Sequence, residues 1–369
     1  MSSVRARLGP RGATSDATLP AVIYAQSSAA VAALTLARSL QRRMVDAQEG
    51  VARAAGDAAR FAEVTWLRDD GRHGGGNRWC VGDTPVFDRA SVNVSQVHYD
   101  DDPARQLASA TALSTIIHPR HPHAPSVHVH VSWTELRGGR GGWRVMADLN
   151  PAITDTGFAR VARERFGAAL QAAAPAVYAD AAQRGERYFF IPALDRHRGV
   201  SHFYLEQYAT ADADADRAMA GAVAEAAIDV HAAIVGEALG ALRRVAEDDR
   251  ARQLAYHTLY FFQVLTLDRG TSSGLLIHDQ NDVGILGSLP SHVDRGLLAS
   301  WRARVPAPIE QLVDGLLAAL PAGAGAVPVS DDTKRALAGA VRTFYRAHPA
   351  ALELQARGDI VPPTVANHR

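Results

Sequence analysis

Residues 113–133 read LSTIIHPRHPHAPSVHVHVSW, with five histidines between His118 and His130. Imidazole titrates near neutral pH, so histidines gathered in this way can move protons or hold a metal. Ser126-Val127-His128-Val129-His130-Val131-Ser132 alternates strictly, and successive side chains on a strand point to opposite faces. Val127, Val129 and Val131 would then pack against a core, leaving His128, His130 and Ser132 to line a polar cavity. Two chemistries fit. His128 could act as acid or base with the other histidines shaping the pocket, or His128 and His130 could bind a metal with a third ligand such as His118. His121 and His123 sit among Pro119, Pro122 and Pro125, which predicts an extended loop and no chemical role. Asp148 closes a strand before Asn150-Pro151, as a helix cap or as a pocket carboxylate.

Other chemistries lack their motifs. Gly74-Gly75-Gly76 is not followed by Lys-Ser/Thr, no GxGxxG follows a strand, and no GxSxG elbow is present. Lys and Arg number 39, as do Asp and Glu, so there is no electrostatic case for nucleic acid or an anionic membrane. The single cysteine, Cys80, excludes an intrachain disulfide or a cysteine-based cluster, and a cytoplasmic protein is expected. MSSVRARLGPRGATSDATLP has no apolar signal-peptide core. Lys334 is the only lysine, which reads as coding bias alongside the abundant alanine. Asp212, Asp214 and Asp216 resemble the start of a calcium loop without its later ligands, and read as an acidic helix start.

At 47% hydrophobic residues, the chain can build a substantial core to position these groups. Residues 1–20 read as a loose lead-in, 21–300 as the catalytic domain, and 301–369 as a helical extension with helices near 308–320 and 333–347. A helix is expected over 29–61 and a flexible turn at 71–76. Mixed strand and turn signals follow at 86–99, with strands at 111–118, 126–133 and 142–148. Helical segments follow at 158–182 and within 209–251. A hairpin is expected over 187–208, with His202, Tyr204 and Glu206 on one face and Arg198 and Glu206 as a cross-strand ion pair. The apolar run 259–267 reads as a central strand, 268–270 as a turn, and 275–277 with 283–289 as a second hairpin. Neighbouring hairpins with helical blocks between them imply an α+β fold, a large mainly antiparallel sheet sandwiched between helices.

Five collinear segments carry a family resemblance. TWLRDDGRHGGGNRWCVGDTPVFDRASVNVSQV (65–97), ALSTIIHPRHPHAPSVHVHVSW (112–133), ADLNP (147–151), RYFFIPALDRHRG (187–199) and LTLDRGTSSGLL (265–276) together resemble oxygen-dependent coproporphyrinogen III oxidase. The resemblance implies a flat antiparallel sheet between helical layers, a homodimer, and oxidation by O2 without an organic cofactor. It also implies oxidative decarboxylation of propionate side chains to vinyl groups. Ser114, His118 and His128 sit where the family has its substrate-contacting serine and its two histidines, the second its proposed acid/base. Asp148, Arg198-Gly199 and Asp268-Arg269-Gly270-Thr271 also match.

The departures gather at the substrate end. His130-Val131-Ser132 stands where the family has Asn-Val-Arg, and Asp279-Gln280-Asn281 where it has Gly-Gly-Arg. Tyr204-Leu205-Glu206-Gln207 leaves Glu206 as the only acid of a Phe-Phe-Asp-Asp stretch. The family's third and fourth histidines align near Val161 and Ala193. Losing one arginine contact to a buried carboxylate costs about 2–5 kcal/mol, so these changes disfavour a tetracarboxylate substrate. The expected protein is an O2-dependent oxidase of a smaller, less anionic molecule in specialised metabolism. The alternatives are the haem-pathway reaction itself and a non-catalytic tetrapyrrole or metal carrier. His128, Asp148 and Glu206 are the expected catalytic residues, and Ser114, His118, His130, Arg198, Asp268 and Arg269 the expected substrate contacts. No metal is expected, the alternative set being His118, His128 and His130.

Overall fold

The computed structural model describes residues 22–139, 141–241, 244–278 and 281–357. The lead-in and the Asp279-Gln280 substitution lie outside the described residues. Helix α1 (Ser28–Ala54) comes first, then β1 (Ala62–Leu67), β2 (Gly74–Gly82), β3 (Phe87–His98), β4 (Leu107–Pro119), β5 (Ser126–Leu136) and β6 (Gly142–Asn150). Next come α2 (Gly157–Ala173), α3 (Tyr178–Tyr188), the two-residue strands β7 (Phe190–Ile191) and β8 (Arg196–His197), and β9 (Ser201–Tyr208). The remainder is mostly helical: α4 (Ala213–Ala241), α5 (Glu247–Thr266), α6 (Arg269–Ile277), α7 (Asp282–Ile285), β10 (His292–Asp294), α8 (Arg295–Ser300), α9 (Ile309–Ala319), β11 (Ala326–Pro328) and α10 (Asp331–Ala347).

Seven strands form one antiparallel sheet in the order β1-β2-β3-β4-β5-β6-β9, as expected for the α+β class. Its two faces follow from the period-2 patterning. Val92, Val94, Leu113, Val127, Val129, Val131, Val145, Leu149, Phe203 and Leu205 share one apolar cluster with α1, α2 and α4. In α1, Ala30, Ala33, Leu34, Ala37, Leu40 and Met44 recur at helical spacing and are buried, while Ser27 caps the helix by accepting from the Ala30 amide at 3.1 Å. Helix α4 is long and apolar enough to cross a membrane, but Ala220, Val223, Ala224, Ala227 and Ile228 are buried in this core. A second cluster joins α5 to α6, α8, α9 and α10 over the opposite face.

Several expected elements take another form. The apolar run 259–267 is helical: Tyr256–Thr266 of α5 is buried on every side, and such a run carries no periodicity that distinguishes helix from strand. The expected hairpin at 275–289 is α6 and α7, and 268–270 is the start of α6, with Asp268 as its cap. Of the hairpin over 187–208, only a two-residue β7–β8 ladder exists; β9 pairs with β6 instead. The first helix ends at Ala54, and 158–182 is divided between α2 and α3. Gly74, Gly75 and Gly76 are strand residues. A Cβ on them would lie 2.1–2.5 Å from backbone oxygens of Gln96, Trp66 and Val94, so close packing of β1–β3 and not flexibility requires glycine. The mixed signals at 86–99 resolve into one strand, Phe87–His98, and the tail helices lie where expected.

Candidate active site

The sheet face turned away from α1 carries polar residues in register. One row runs across β3, β4, β5, β6 and β9 as Ser91, Ile116, His128, Asp148 and His202; the next runs Asn93, Ser114, His130, Met146 and Tyr204. Between these rows and helices α5, α6 and α7 lies a cavity of about 250 Å³, lined among others by Ser114, His128, His130, Arg144, Arg198, Tyr260 and Asp268. The alternation of 126–132 therefore acts as expected, with valines in the core and histidines at the cavity.

Asp148 is fully buried and accepts three hydrogen bonds. His128 Nδ1 reaches Oδ1 at 2.7 Å, while Asn150 Nδ2 and Arg198 Nη2 each reach Oδ2 at 2.7 Å. Burial alone would raise its carboxyl pKa. Arg198, His128 and the hydrogen bonds outweigh burial and hold it well below the usual carboxylate range. Arg198 donates also to Gln263 Oε1 at 2.6 Å and lies over the rings of Phe189 and Tyr260. With Nδ1 at hydrogen-bond distance from Asp148, the nitrogen of His128 left for a substrate is Nε2, on a ring that lines the cavity. An oriented imidazole with a free basic nitrogen can take a proton from a bound substrate.

His130 lies beside His128, ring centroids 6.4 Å apart, with Nε2 2.9 Å from Ser132 Oγ. Burial, then the nearby Arg144 and His128, hold its pKa well below the ordinary histidine value, so it is a neutral hydrogen-bonding group at pH 7. Arg144 is held by internal partners. Its Nε lies 3.2 Å from Glu206 Oε2, and Nη2 donates to Tyr188 Oη at 2.9 Å; that hydroxyl donates to Asp268 Oδ1 at 3.0 Å. Burial opposes its charge, but Glu206, Tyr188, Tyr204 and Asp268 outweigh burial and keep it protonated. Asp268 caps α6 by accepting from the Thr271 amide at 2.7 Å. Burial opposes its ionisation, while Arg144 and the Thr271 hydrogen bond favour it and prevail. Burial pushes the Tyr260 phenol up to about 12.

The other expected site residues are distributed less simply. Ser114 lines the cavity opposite His130. His118 is buried beside Tyr260 and is not part of the cavity lining: Ser126 Oγ donates to Nδ1 at 2.8 Å, and Nε2 donates to the Ser288 carbonyl at 3.2 Å. Burial and then His257 bring its pKa down to about 3. With both nitrogens occupied it is no partner for His128 and His130. Among the described residues no group of three His, Cys, Asp or Glu side chains could hold a metal ion. Glu206 pairs with Arg144, so the expected Arg198–Glu206 ion pair gives way to Arg198–Asp148 and Arg144–Glu206. With Tyr204 Oη also donating to it at 2.5 Å, Glu206 lies behind the cavity wall. Arg269 is not part of the lining, whereas Arg144 lines the cavity. His123 pairs with Asp249 outside the cavity, in keeping with a loop histidine. Sequence reasoning missed Tyr188, Tyr260 and Gln263. The last two lie in the run 259–267, whose burial on every side leaves no periodic signal in the sequence.

Comparison with known proteins then adds a family. Residues 33–301 match the family described as coproporphyrinogen III oxidase. The oxygen-dependent coproporphyrinogen-III oxidase, mitochondrial, of Rattus norvegicus is 25% identical over 284 residues, covering 71% of this chain and 62% of that protein. The chain thus spans less than two thirds of the length of that relative.

Proposed function

The chain belongs to the coproporphyrinogen III oxidase family, and on that premise we propose that it is an O2-dependent oxidase needing no organic cofactor and decarboxylating a carboxylate-bearing small molecule. The observation that carries this reading is the His128–Asp148 pair, with one imidazole nitrogen fixed at 2.7 Å and the ring at the cavity wall. In the proposed reaction His128 Nε2 removes an N–H proton, making an electron-rich ring easier for O2 to oxidise. A propionate then gives up a hydride equivalent and CO2: R–CH2–CH2–COO⁻ + O2 + H⁺ → R–CH=CH2 + CO2 + H2O2. Two electrons from the hydride equivalent reduce O2 to peroxide. The electrons of the broken carbon–carboxylate bond become the new double bond.

The substrate we favour is smaller and less anionic than coproporphyrinogen. The two guanidinium groups lining the cavity, Arg144 and Arg198, are each already paired with an internal carboxylate. The cavity of about 250 Å³ is also smaller than drug-sized sites, ~300–1,000 Å³. The family match supports coproporphyrinogen itself as the second reading. Oxygen uptake with coproporphyrinogen and with smaller pyrrole carboxylates tests both: ordinary turnover of coproporphyrinogen would overturn the argument from paired arginines. A His128→Ala variant with undiminished turnover would overturn the acid/base role. We further propose a cytoplasmic homodimer acting in specialised metabolism; light scattering of the purified protein tests the dimer.

A further inference from the structure

We propose that Arg78, with the charges of Arg89 and Lys334 behind it, forms an anion subsite, one layer behind the α7 wall of the cavity, that takes a carboxylate of the substrate. The inference rests on the reading of the cavity as the substrate site and names the anchor that the paired arginines do not supply.

Arg78 on β2 is in register with the cavity-lining Asn93. Only 7% exposed, its Nη1 is buried without a hydrogen-bond partner. Arg89 on β3, in register with Gly82 and His118, has a buried Nε that is likewise unpartnered. Among the described residues neither guanidinium lies in an ion pair with a carboxylate. Lys334, in the first turns of α10, is 4% exposed and donates only to Asp331 Oδ1 at 3.2 Å, whose side chain is 63% exposed. Burial, then Arg89, lower the Lys334 pKa, with Arg78 adding to the effect and Asp331 opposing it. Lys334 thus has a largely solvated carboxylate as its ion-pair partner, and among the described residues the two guanidinium groups have none. The chain's only lysine, first read as an accident of composition, stands at this cluster.

The cluster adjoins the cavity through glycine. A Cβ on Gly284 would lie 2.3 Å from Arg78 Nη1 and 2.0 Å from Asn281 Oδ1, and Gly284 and Asn281 both line the cavity. Gly287 packs on the Arg78 side chain and on Ser91 Oγ, another lining atom. A carboxylate that displaces the Asn281 amide meets the unpartnered Nη1 with no side chain between. Unpaired buried cations are costly, and a planar carboxylate satisfies guanidinium donors with charge-assisted hydrogen bonds.

Propionate serves as the probe. At constant ionic strength, with chloride as the control, rising propionate should raise the thermal midpoint of the wild-type protein, because a ligand of the folded state stabilises it. Arg78→Gln and Lys334→Met should lose most of this rise. Without propionate they should be at least as stable as wild type, since each removes a like charge. No rise beyond chloride in wild type overturns the subsite, as does a full rise in either variant that folds. Variants less stable without propionate that keep the rise would make the cluster purely structural. The two readings separate cleanly: His128→Ala should keep the propionate effect. Retained turnover in that variant sinks the oxidase reading alone, and His128-dependent turnover without a propionate effect sinks the subsite alone.

Discussion

Replacing Asp148 with asparagine tests how the cavity holds its base. The carboxylate receives two donors on Oδ2, from Arg198 and Asn150, and one on Oδ1, from His128. An amide has one accepting end. Two donors, one of them a buried guanidinium, draw the amide oxygen to the Oδ2 side, leaving the NH2 group facing His128. His128 Nδ1 must then accept, so its proton moves to Nε2 and the nitrogen at the cavity becomes a donor. The base is lost without any atom being far displaced, and positioned general bases contribute about 10²–10⁴-fold. Stability falls as well. Arg198 is 3% exposed and would keep only neutral partners, the amide oxygen, Gln263 and two aromatic rings, with no carboxylate to balance its charge. Removing one partner of a buried pair costs about 3–5 kcal/mol, against total stabilities of about 5–15 kcal/mol. Oxygen uptake, ¹⁵N NMR of the His128 ring and urea denaturation report the three consequences. A ring still protonated at Nδ1 with unchanged turnover would refute the tautomer argument, and an unchanged urea midpoint would refute the buried pairing.

Acid should destabilise the protein well before carboxylates titrate. His118 and His231 are fully buried and brought down to about 3 and about 4, chiefly by burial. Their neutral rings stabilise the fold fully above the unfolded value of about 6.5, and that contribution is lost as pH falls below it, until the folded values are reached. Between pH 7 and 5 the two together should cost about 4 kcal/mol; equal urea midpoints at both pH values would refute this. Asp148 acts in a different window, because its depressed pKa gives stability present above about pH 4 and lost only in stronger acid. Tyr188→Phe removes the hydroxyl between Arg144 and Asp268 and should cost about 1–3 kcal/mol in denaturant, with a smaller loss of turnover than Asp148→Asn. Phe203→Ala, in the fully buried centre of β9, should cost about 3–5 kcal/mol by calorimetry without changing the pH dependence of turnover.

Much of the fold was legible because strand patterning has a period of two. Val127 to Val131 and His128 to His130 declare their faces in the sequence, and the sheet obeys them. The acidic stretch 212–216 also reads correctly as a helix start, Asp216 accepting from the Thr210 amide and hydroxyl. Residues 259–267 had no such signature: a segment buried on all sides looks alike as helix or strand, and misplacing it hid Tyr260 and Gln263 from the site.

The sequence by itself determined the antiparallel class, the two-faced β5 strand, His128 and Asp148 as candidate site residues, and the family. Only the tertiary structure decided which charge meets which. Arg198 turns to Asp148 and Arg144 to Glu206, because register across β6 and β9 and the approach of α3 and α5 set those distances. The same packing kept His118 out of the cavity lining and brought Gly284 of α7 against Arg78 from about 200 residues along the chain. Local pattern fixes which face a side chain points to, whereas its partner comes from another segment, and no local pattern encodes that.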